Sequence, residues 1–146
     1  MSQIQNNLNQ AGIVLPTPTA PIANYVGTVI AGNLLVISGQ LCLGADGKLD
    51  AAHRGKLGND VSLEAGQAAA RLCAINLLAQ ANIALGGNLD RIRRCVRLGG
   101  FINANPTYAQ IPQVMPRRRS GRAATISATP SLTRRLISIA TSRSAQ

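Results

Sequence analysis

Aromatic side chains are scarce in this chain of 146 residues, which has two tyrosines, one phenylalanine and no tryptophan. Because 46% of the residues are nevertheless apolar, aliphatic side chains must build the core of one domain of ordinary length. No apolar run approaches the roughly 20 residues that span a bilayer. The polar start MSQIQNNLNQ lacks the charged and apolar regions of a secretory leader, so we expect a cytoplasmic protein without a membrane segment.

Metal-binding and catalytic side chains are equally few. Cys42, Cys73 and Cys95 are widely spaced and form no Cys-x-x-Cys pair, and His53 is the only histidine. A structural zinc site or a Ser-His-Asp arrangement needs several such groups to converge, so the sequence predicts neither. We expect three reduced thiols that pack as small apolar side chains.

Acidic residues are also few. The chain has five Asp and Glu residues and fifteen Lys and Arg residues, which gives a net charge of +10. Such a balance invites a nucleic-acid partner. The charge is unevenly distributed, however, because residues 116–146 hold seven arginines and no acid, which leaves residues 1–115 with a net charge of only +3. We therefore divide the chain into a domain over 1–115 and a basic tail over 116–146 that is rich in Arg, Ser, Ala and Thr.

Two amphipathic helices are predicted. Ile4 and Leu8 fall on one stripe of a short N-terminal helix. A longer helix over 61–85 begins at an N-cap, either Asp60 or Ser62, and repeats Ala, Leu and Ile at spacings of three and four residues. Its apolar character on nearly all sides indicates burial against a sheet.

A β-hairpin is predicted where two β-branched, apolar runs, 25–30 and 34–38, flank Ala-Gly-Asn. The second run is apolar at nearly every position, which is typical of a strand covered on both faces. It ends in Ser38, Gly39 and Gln40, where the missing Cβ of glycine lets backbone N–H groups approach a small ligand. An ordinary turn explains the same three residues.

A further strand is predicted over 91–103, where apolar residues roughly alternate with Arg91, Arg93, Arg94 and Arg97. These arginines indicate a solvated strand face or, alternatively, a basic stripe. A short helix is expected from Pro106, with Tyr108, Ile111 and Met115 facing inward and Pro112 limiting its length. The order of helix, hairpin, helix, strand and helix predicts the α+β class.

Over residues 4–115 the chain resembles the Rid family of YjgF-type reactive-intermediate deaminases, in the branch with an extra N-terminal helix. The motifs that carry the resemblance are, in order, ANYV, AGNLLVISGQL, GKLG, SLEAGQAAARLCAINLLAQ and RCVRLGGFINANPTYAQIPQVM. It implies a chorismate-mutase-like mixed sheet packed on two helices, and a homotrimer with clefts between subunits. It also implies hydrolysis of enamines and imines, such as 2-aminoacrylate, to 2-oxo acids and ammonia, with no metal and no cofactor.

The resemblance also implies substrate-binding residues. Tyr25 matches the tyrosine that lines the family's cleft, and Ser38 and Gly39 match the strand end that borders it. Asn103 and Tyr108, together with Phe101, match the loop that approaches from one side. Pro106 stands two residues before Tyr108, where many relatives place an asparagine before an aromatic residue, and Asn103 or Asn105 is the substitute for that amide.

The tail departs from the family after Met115. Relatives continue with a second helix and two strands, one of them entered by a carboxylate-binding arginine, whereas residues 116–146 contain no Asp, Glu, Val or aromatic residue. We interpret the tail as a shifted reading frame or as a diverged replacement, in which 123–127 and 132–139 can still form strands or a short helix. Arg122, in Gly-Arg-Ala-Ala, is the candidate for the catalytic arginine.

Two alternatives remain open. If the carboxylate-binding arginine is absent, the chain is a member of the family that binds small molecules in the same cleft without turnover. Alternatively, the RRRSGR run of the tail binds RNA phosphates, as in an endoribonuclease-like protein. That run has no interleaved aromatic residues for base stacking, and His53 is a poor sole candidate for acid–base cleavage, so we do not expect a nucleic-acid partner.

Overall fold

The computed structural model of the chain describes residues 3–18, 25–115, 124–128 and 137–143, the last two ranges as backbone strands. Its α+β architecture follows the predicted order of elements. Within the described ranges, no helix is long and apolar enough to cross a membrane. The elements are α1 (Gln3–Gln10), β1 (Thr28–Ala31), β2 (Leu34–Ile37), α2 (Leu63–Ala84), β3 (Ile92–Ile102), α3 (Ile111–Val114), β4 (Ala124–Ala128) and β5 (Ile137–Arg143).

The five strands form one mixed sheet in the order β1-β2-β5-β3-β4. β3 and β4 are parallel, and the other neighbouring pairs are antiparallel. The backbone of β5 lies between β2 and β3, so residues of the tail join the hairpin to the rest of the sheet. The division of the chain at residue 115 stays a prediction, since the sheet includes strands from both sides of it.

The hairpin and α2 supply the core as the sequence predicts. Ser62 is the N-cap of α2, with its Oγ accepting a hydrogen bond of 3.2 Å from the N–H of Ala65. One face of α2 packs on the inner face of the sheet, where Leu35 and Ile37 are almost completely buried. Cys42 and Cys73 belong to the same buried cluster, and Cys95 is half-buried, so none of the three thiols is engaged in a disulfide.

The prediction that β2 is covered on both faces is wrong for the single chain. Val36 is 38% exposed, and Val29, its partner on β1, is 51% exposed. Residues of a strand point alternately to the two faces of a sheet, and α2 covers only the face that carries Leu35 and Ile37. The other face, called the outer face below, therefore presents apolar side chains to solvent.

The region after β3 also differs from expectation. The helix predicted from Pro106 begins only at Ile111, because Asn105 starts a turn in which its carbonyl accepts from the N–H of Tyr108 at 2.9 Å. The side-chain Oδ1 of Asn105 accepts from the N–H and hydroxyl of Thr107. Pro112 does not limit the helix but lies in its first turn, where its missing N–H leaves no helical hydrogen bond unmade.

Asp90 attaches the N-terminal helix to the domain. Its carboxylate oxygens accept hydrogen bonds from the backbone N–H groups of Gln3, at 2.6 Å, and Ile4, at 2.9 Å. These N–H groups lie in the first turn of α1 and have no partner within the helix. With Leu8 buried in the main core, this contact fixes α1 against the 3-10 turn Leu89–Arg91.

Candidate functional site

The strand end at Ser38 is fixed by two hydrogen bonds to one acceptor. The backbone N–H of Ser38 donates to the carbonyl of Gly27 at 3.0 Å, and its Oγ donates to the same carbonyl at 2.9 Å. Gln40 adds a bond from its Nε2 to the carbonyl of Ser38 at 3.1 Å. The serine hydroxyl therefore has a defined direction across the open end of the hairpin.

Tyr25 and Gly39 lie at this same end of the hairpin. Tyr25 is two residues before Gly27 and is half exposed, and Gly39 is half-buried. Within the described residues, no hydrogen bond engages the N–H of Gly39. Three of the predicted substrate-binding residues, Tyr25, Ser38 and Gly39, therefore lie at one end of the hairpin, and their role in binding stays a prediction.

Asn103 organises a second group at the end of β3. Its Nδ2 donates to the carbonyl of Gly55 at 3.0 Å, and its own carbonyl accepts from the N–H of Leu57 at 3.0 Å. The N–H of Asn105 donates a hydrogen bond of 2.9 Å to the carbonyl of Leu57. The loop before α2 is therefore held to the segment that follows β3, where Leu57 and Ala104 form an isolated parallel bridge.

Tyr108 belongs to this second group as a packing residue. Its ring lies against Gly58, whose positive φ of 80° brings the loop so close that an added Cβ would meet the ring at 2.5 Å. The ring packs in a small cluster with Leu57 and Val61, and its hydroxyl is shielded from solvent without a hydrogen-bond partner among the described residues. In one chain, therefore, the Tyr108 hydroxyl does not face a ligand.

The two groups lie at the same edge of the sheet but are not in contact. β2 and β3 run in the same direction with β5 between them, because each is antiparallel to β5. β3 continues past the end of β2, and in the described part of the chain no hydrogen bond joins Ser38 or Gly39 to Asn103. One chain therefore presents two groups at these strand ends, with β5 between them.

Two other site predictions have different outcomes. Arg122, the candidate catalytic arginine, lies outside the described residues. No cluster of three or more His, Cys, Asp or Glu that suits a metal ion occurs among the residues that the structure describes. His53, expected in a solvated loop, is half-buried in the 3-10 turn Ala51–His53, with Nδ1 shielded from solvent.

A solvent-open apolar hollow of about 370 Å³ lies between α2, β3 and α3. Gly66, Cys73 and Ile102 are among its lining residues, and none of the five predicted substrate-binding residues lines it. It contains none of the polar groups that fix a polar substrate in a pocket. The hairpin end is therefore the better candidate site.

Sequence reasoning missed the residues that hold the site in place. Gly27 supplies the acceptor for Ser38, and Gly58 supplies the close approach for Tyr108. Asp60, weighed as a helix cap, instead accepts from the N–H of Lys56 at 3.2 Å and shapes the loop. The one sequence signal for the loop was its two glycines, Gly55 and Gly58, which indicate an unusual backbone path. That signal does not extend to Gly27.

Comparison with known proteins assigns the chain to a family. A model of the family described as "YjgF/chorismate_mutase-like, putative endoribonuclease" matches residues 5–120. The chain belongs to the YjgF family. The resemblance seen in the motifs and the expected chorismate-mutase-like fold are both confirmed.

Individual relatives support the assignment. Protein TCP17 of Trypanosoma cruzi is 39% identical over 108 residues, which are 74% of this chain and 65% of that protein. Atu1372 from Agrobacterium tumefaciens, a protein of unknown function, is 33% identical in sequence. Its crystal structure superimposes with a TM-score of 0.75, over 97% of this chain and 94% of the Atu1372 chain. A "putative endoribonuclease" from Shewanella oneidensis is 27% identical, covers 94% of this chain and 97% of that chain, and has a TM-score of 0.80.

The comparisons differ over the tail of this YjgF-family chain. The family model matches up to residue 120, close to Met115, where the recognisable motifs end. The two structural similarities cover 94% and 97% of the chain, so they extend into the tail strands. The described strands β4 and β5 therefore lie beyond the residues that the family model matches.

Proposed function

We propose that this protein hydrolyses reactive enamines and imines of the 2-aminoacrylate type to 2-oxo acids and ammonia, in the cytoplasm and in clefts between the subunits of a homotrimer. The observation that carries the proposal is the geometry of the hairpin end. There Ser38 is fixed on the Gly27 carbonyl, the N–H of Gly39 has no partner among the described residues, and Tyr25 is half exposed nearby. The Gly39 N–H and the Tyr25 hydroxyl are donors that suit a small carboxylate, whereas the Ser38 hydroxyl gives its one proton to the Gly27 carbonyl and can only accept.

The chemistry asks little of the protein. The carbon of a protonated imine is already electrophilic, so a water molecule forms a C–O bond while the C=N π electrons move to nitrogen. One proton then moves from the added water to nitrogen, the C–N bond breaks with release of ammonia as the C=O bond forms, and the oxygen loses its second proton to leave the 2-oxo acid. The protein needs to hold the substrate carboxylate, orient the water and assist proton transfer.

In this proposal the substrate carboxylate accepts a hydrogen bond from the N–H of Gly39 and binds Arg122, which takes the role of the family's arginine. Tyr25 and the hydroxyl of Ser38 border the reacting carbon. No metal or cofactor takes part in this proposed mechanism. Asn103 enters from the neighbouring copy, and Tyr108 supports that end of β3 by packing against Gly58.

The trimer is supported by the outer face of the sheet. Val29, Val36 and Phe101 are 51%, 38% and 45% exposed there, an unusual display of apolar side chains on a sheet face that no described element covers. Burial of these side chains against other copies would remove the exposed face and form clefts at its edges. The same burial gives β2 the cover on both faces that its sequence predicts.

The proposal is tested by generating 2-aminoacrylate with a pyridoxal-phosphate enzyme and following pyruvate formation. We expect the protein to accelerate pyruvate release, Tyr25→Phe, Ser38→Ala and Arg122→Ala to reduce the acceleration, and the exposed Arg71→Ala on α2 to leave it unchanged. A trimer that gives no acceleration at micromolar concentration would refute turnover and favour a binding protein without catalysis.

A ribonuclease function has less support in the structure. The only histidine, His53, has its Nδ1 shielded from solvent, which is a poor arrangement for acid–base cleavage. Removal of the tail would also remove two strands, so neutralisation of Arg117, Arg118 and Arg119 to Gln is the cleaner test. RNA binding that depends on these residues would show up as a loss of affinity and a smaller salt dependence.

A further inference from the structure

Two arginines lie on the outer face of the sheet beside its exposed apolar residues. Backbone pairing aligns Arg97 with Val36 through Ala140 of β5, and Arg94 with Leu34 through Ser142. Directly paired residues of neighbouring strands share a face. Because Val36 is on the outer face, the pairing assigns Arg97 and Arg94 to that face as well. Their partners on β5 are about 7 Å apart, and on β3 a register irregularity between Cys95 and Arg97 separates the two arginines.

Neither guanidinium is neutralised within the described residues. Arg94 and Arg97 are exposed, and no hydrogen bond or ion pair engages their side chains in the described part of the chain. The sequence explains why, since none of the five strands contains Asp or Glu and Asp90 is the last acidic residue of the chain. The carboxylate of Asp90 is itself used to cap α1.

This composition creates a conflict when copies of the chain meet through the outer face. The apolar residues favour burial, but burial would gather arginines from each copy on a surface that offers no carboxylate. Desolvation of uncompensated like charges opposes this burial. A multivalent oxyanion resolves the conflict, because guanidinium groups bind phosphate-type oxygens with paired, charge-assisted hydrogen bonds.

We propose that Arg94 and Arg97 form an oxyanion site between copies of this chain, and that a phosphate-class anion bound there promotes assembly. The inference rests on the proposed homotrimer and adds to it a ligand and a regulation. Assembly then depends on the identity of the anion and not only on ionic strength.

Sedimentation measurements of the full-length protein test the site, in chloride and in tripolyphosphate at equal ionic strength. We expect tripolyphosphate to lower the protein concentration at half-assembly by about tenfold. That factor corresponds to the free energy of about one hydrogen bond to a charged group. The double variant Arg94→Gln, Arg97→Gln should assemble more readily than wild type in chloride, because the like charges are gone, and should lose the response to the anion. Arg71→Gln, which removes one exposed arginine from α2, should keep the response.

The outcomes separate this site from the trimer itself. A trimer of equal strength in both salts would overturn the oxyanion site and leave the proposed trimer standing. A monomer in both salts would overturn both proposals. A full anion response in the double variant would place the effect elsewhere, in the tail arginines, and would also overturn the site.

Discussion

The two faces of the sheet differ although the same strands form them. On the inner face, Leu35 and Ile37 are buried beneath α2, and Cys73, Leu77 and the buried alanines of that helix belong to the same cluster. On the outer face, Val29 and Val36 are exposed, and Arg97 shares their row. One chain completes the first face only, and this difference is the basis for the proposal that the second face is a surface for other copies. Variants on the two faces can break or sharpen this comparison.

The largest expected effect is on the inner face. Leu35→Ala should lower the free energy of unfolding by about 2 to 5 kcal/mol, because it leaves a cavity in the core. Val36→Ala, the neighbouring residue on the outer face, should cost little in a single chain and should weaken assembly instead. Denaturant unfolding over a range of protein concentrations distinguishes them, since only the Val36 effect should depend on concentration. Equal, concentration-independent losses would contradict the distinction between the faces.

Gly58 tests the loop that supports the β3 end of the site. Gly58→Ala should destabilise the protein by about 2 to 3 kcal/mol, since a Cβ would collide with the Tyr108 ring and the backbone has a positive φ. Gly32→Ala is the matched control, because its φ is also positive and its surroundings are empty, so only about 1 kcal/mol is expected. Thermal unfolding of both variants measures the difference, and similar losses would mean that the Tyr108 contact is unimportant.

Ser38 and Ser62 form a matched pair with one hydrogen bond each at stake. Ser38→Ala removes the bond from Oγ to Gly27, and Ser62→Ala removes the N-cap of α2, so each should cost about 1 kcal/mol. Only Ser38→Ala should also reduce pyruvate formation. If both variants retain full activity, the Ser38 hydroxyl has no part in the site.

The smallest expected effect concerns pH. The N–H at the start of α2 and the hydroxyl of Ser62 lower the pKa of Glu64 from its ordinary value of 4.5. A lowered pKa stabilises the folded protein above the unfolded pKa, and this contribution is lost as the pH falls through the folded value. The melting temperature of wild type should therefore exceed that of Glu64→Gln slightly at neutral pH, and the difference should vanish in acid. A difference that persists in acid would contradict the helix-terminus origin.

The sequence was informative where periodicity and caps determine local structure. The hairpin, α2 and β3 lie where alternation and three-to-four spacing predict them, and Ser62 is one of the two N-caps considered. The exposure of Val36 was not predictable, because an all-apolar strand looks the same whether its second cover comes from its own chain or from another copy. The late start of α3 was missed because the Asn105 turn competes with the helix-initiating tendency of Pro106.

The candidate site was predictable only in part. The sequence itself predicted that backbone N–H groups at the strand end of Ser38 and Gly39 can approach a small ligand. The resemblance added Tyr25, Asn103 and Tyr108. The attachment of Ser38 to Gly27 was not predictable, because it depends on the pairing of β1 with β2. The shifted-frame hypothesis for residues 116–146 stays a prediction that resequencing across the Met115 codon, with the intact mass of the native protein, would decide.

The proposed site forms between copies, with the hairpin end of one chain facing the β3 end of the next. Subunit mixing tests this directly. Tyr25→Ala damages the hairpin end and Asn103→Ala the β3 end, so trimers reassembled from an equal mixture should regain about a quarter of the wild-type rate of pyruvate formation, the share of interfaces with both ends intact. A rate that stays at the mean of the two variants, while mass analysis shows mixed trimers, would contradict the claim.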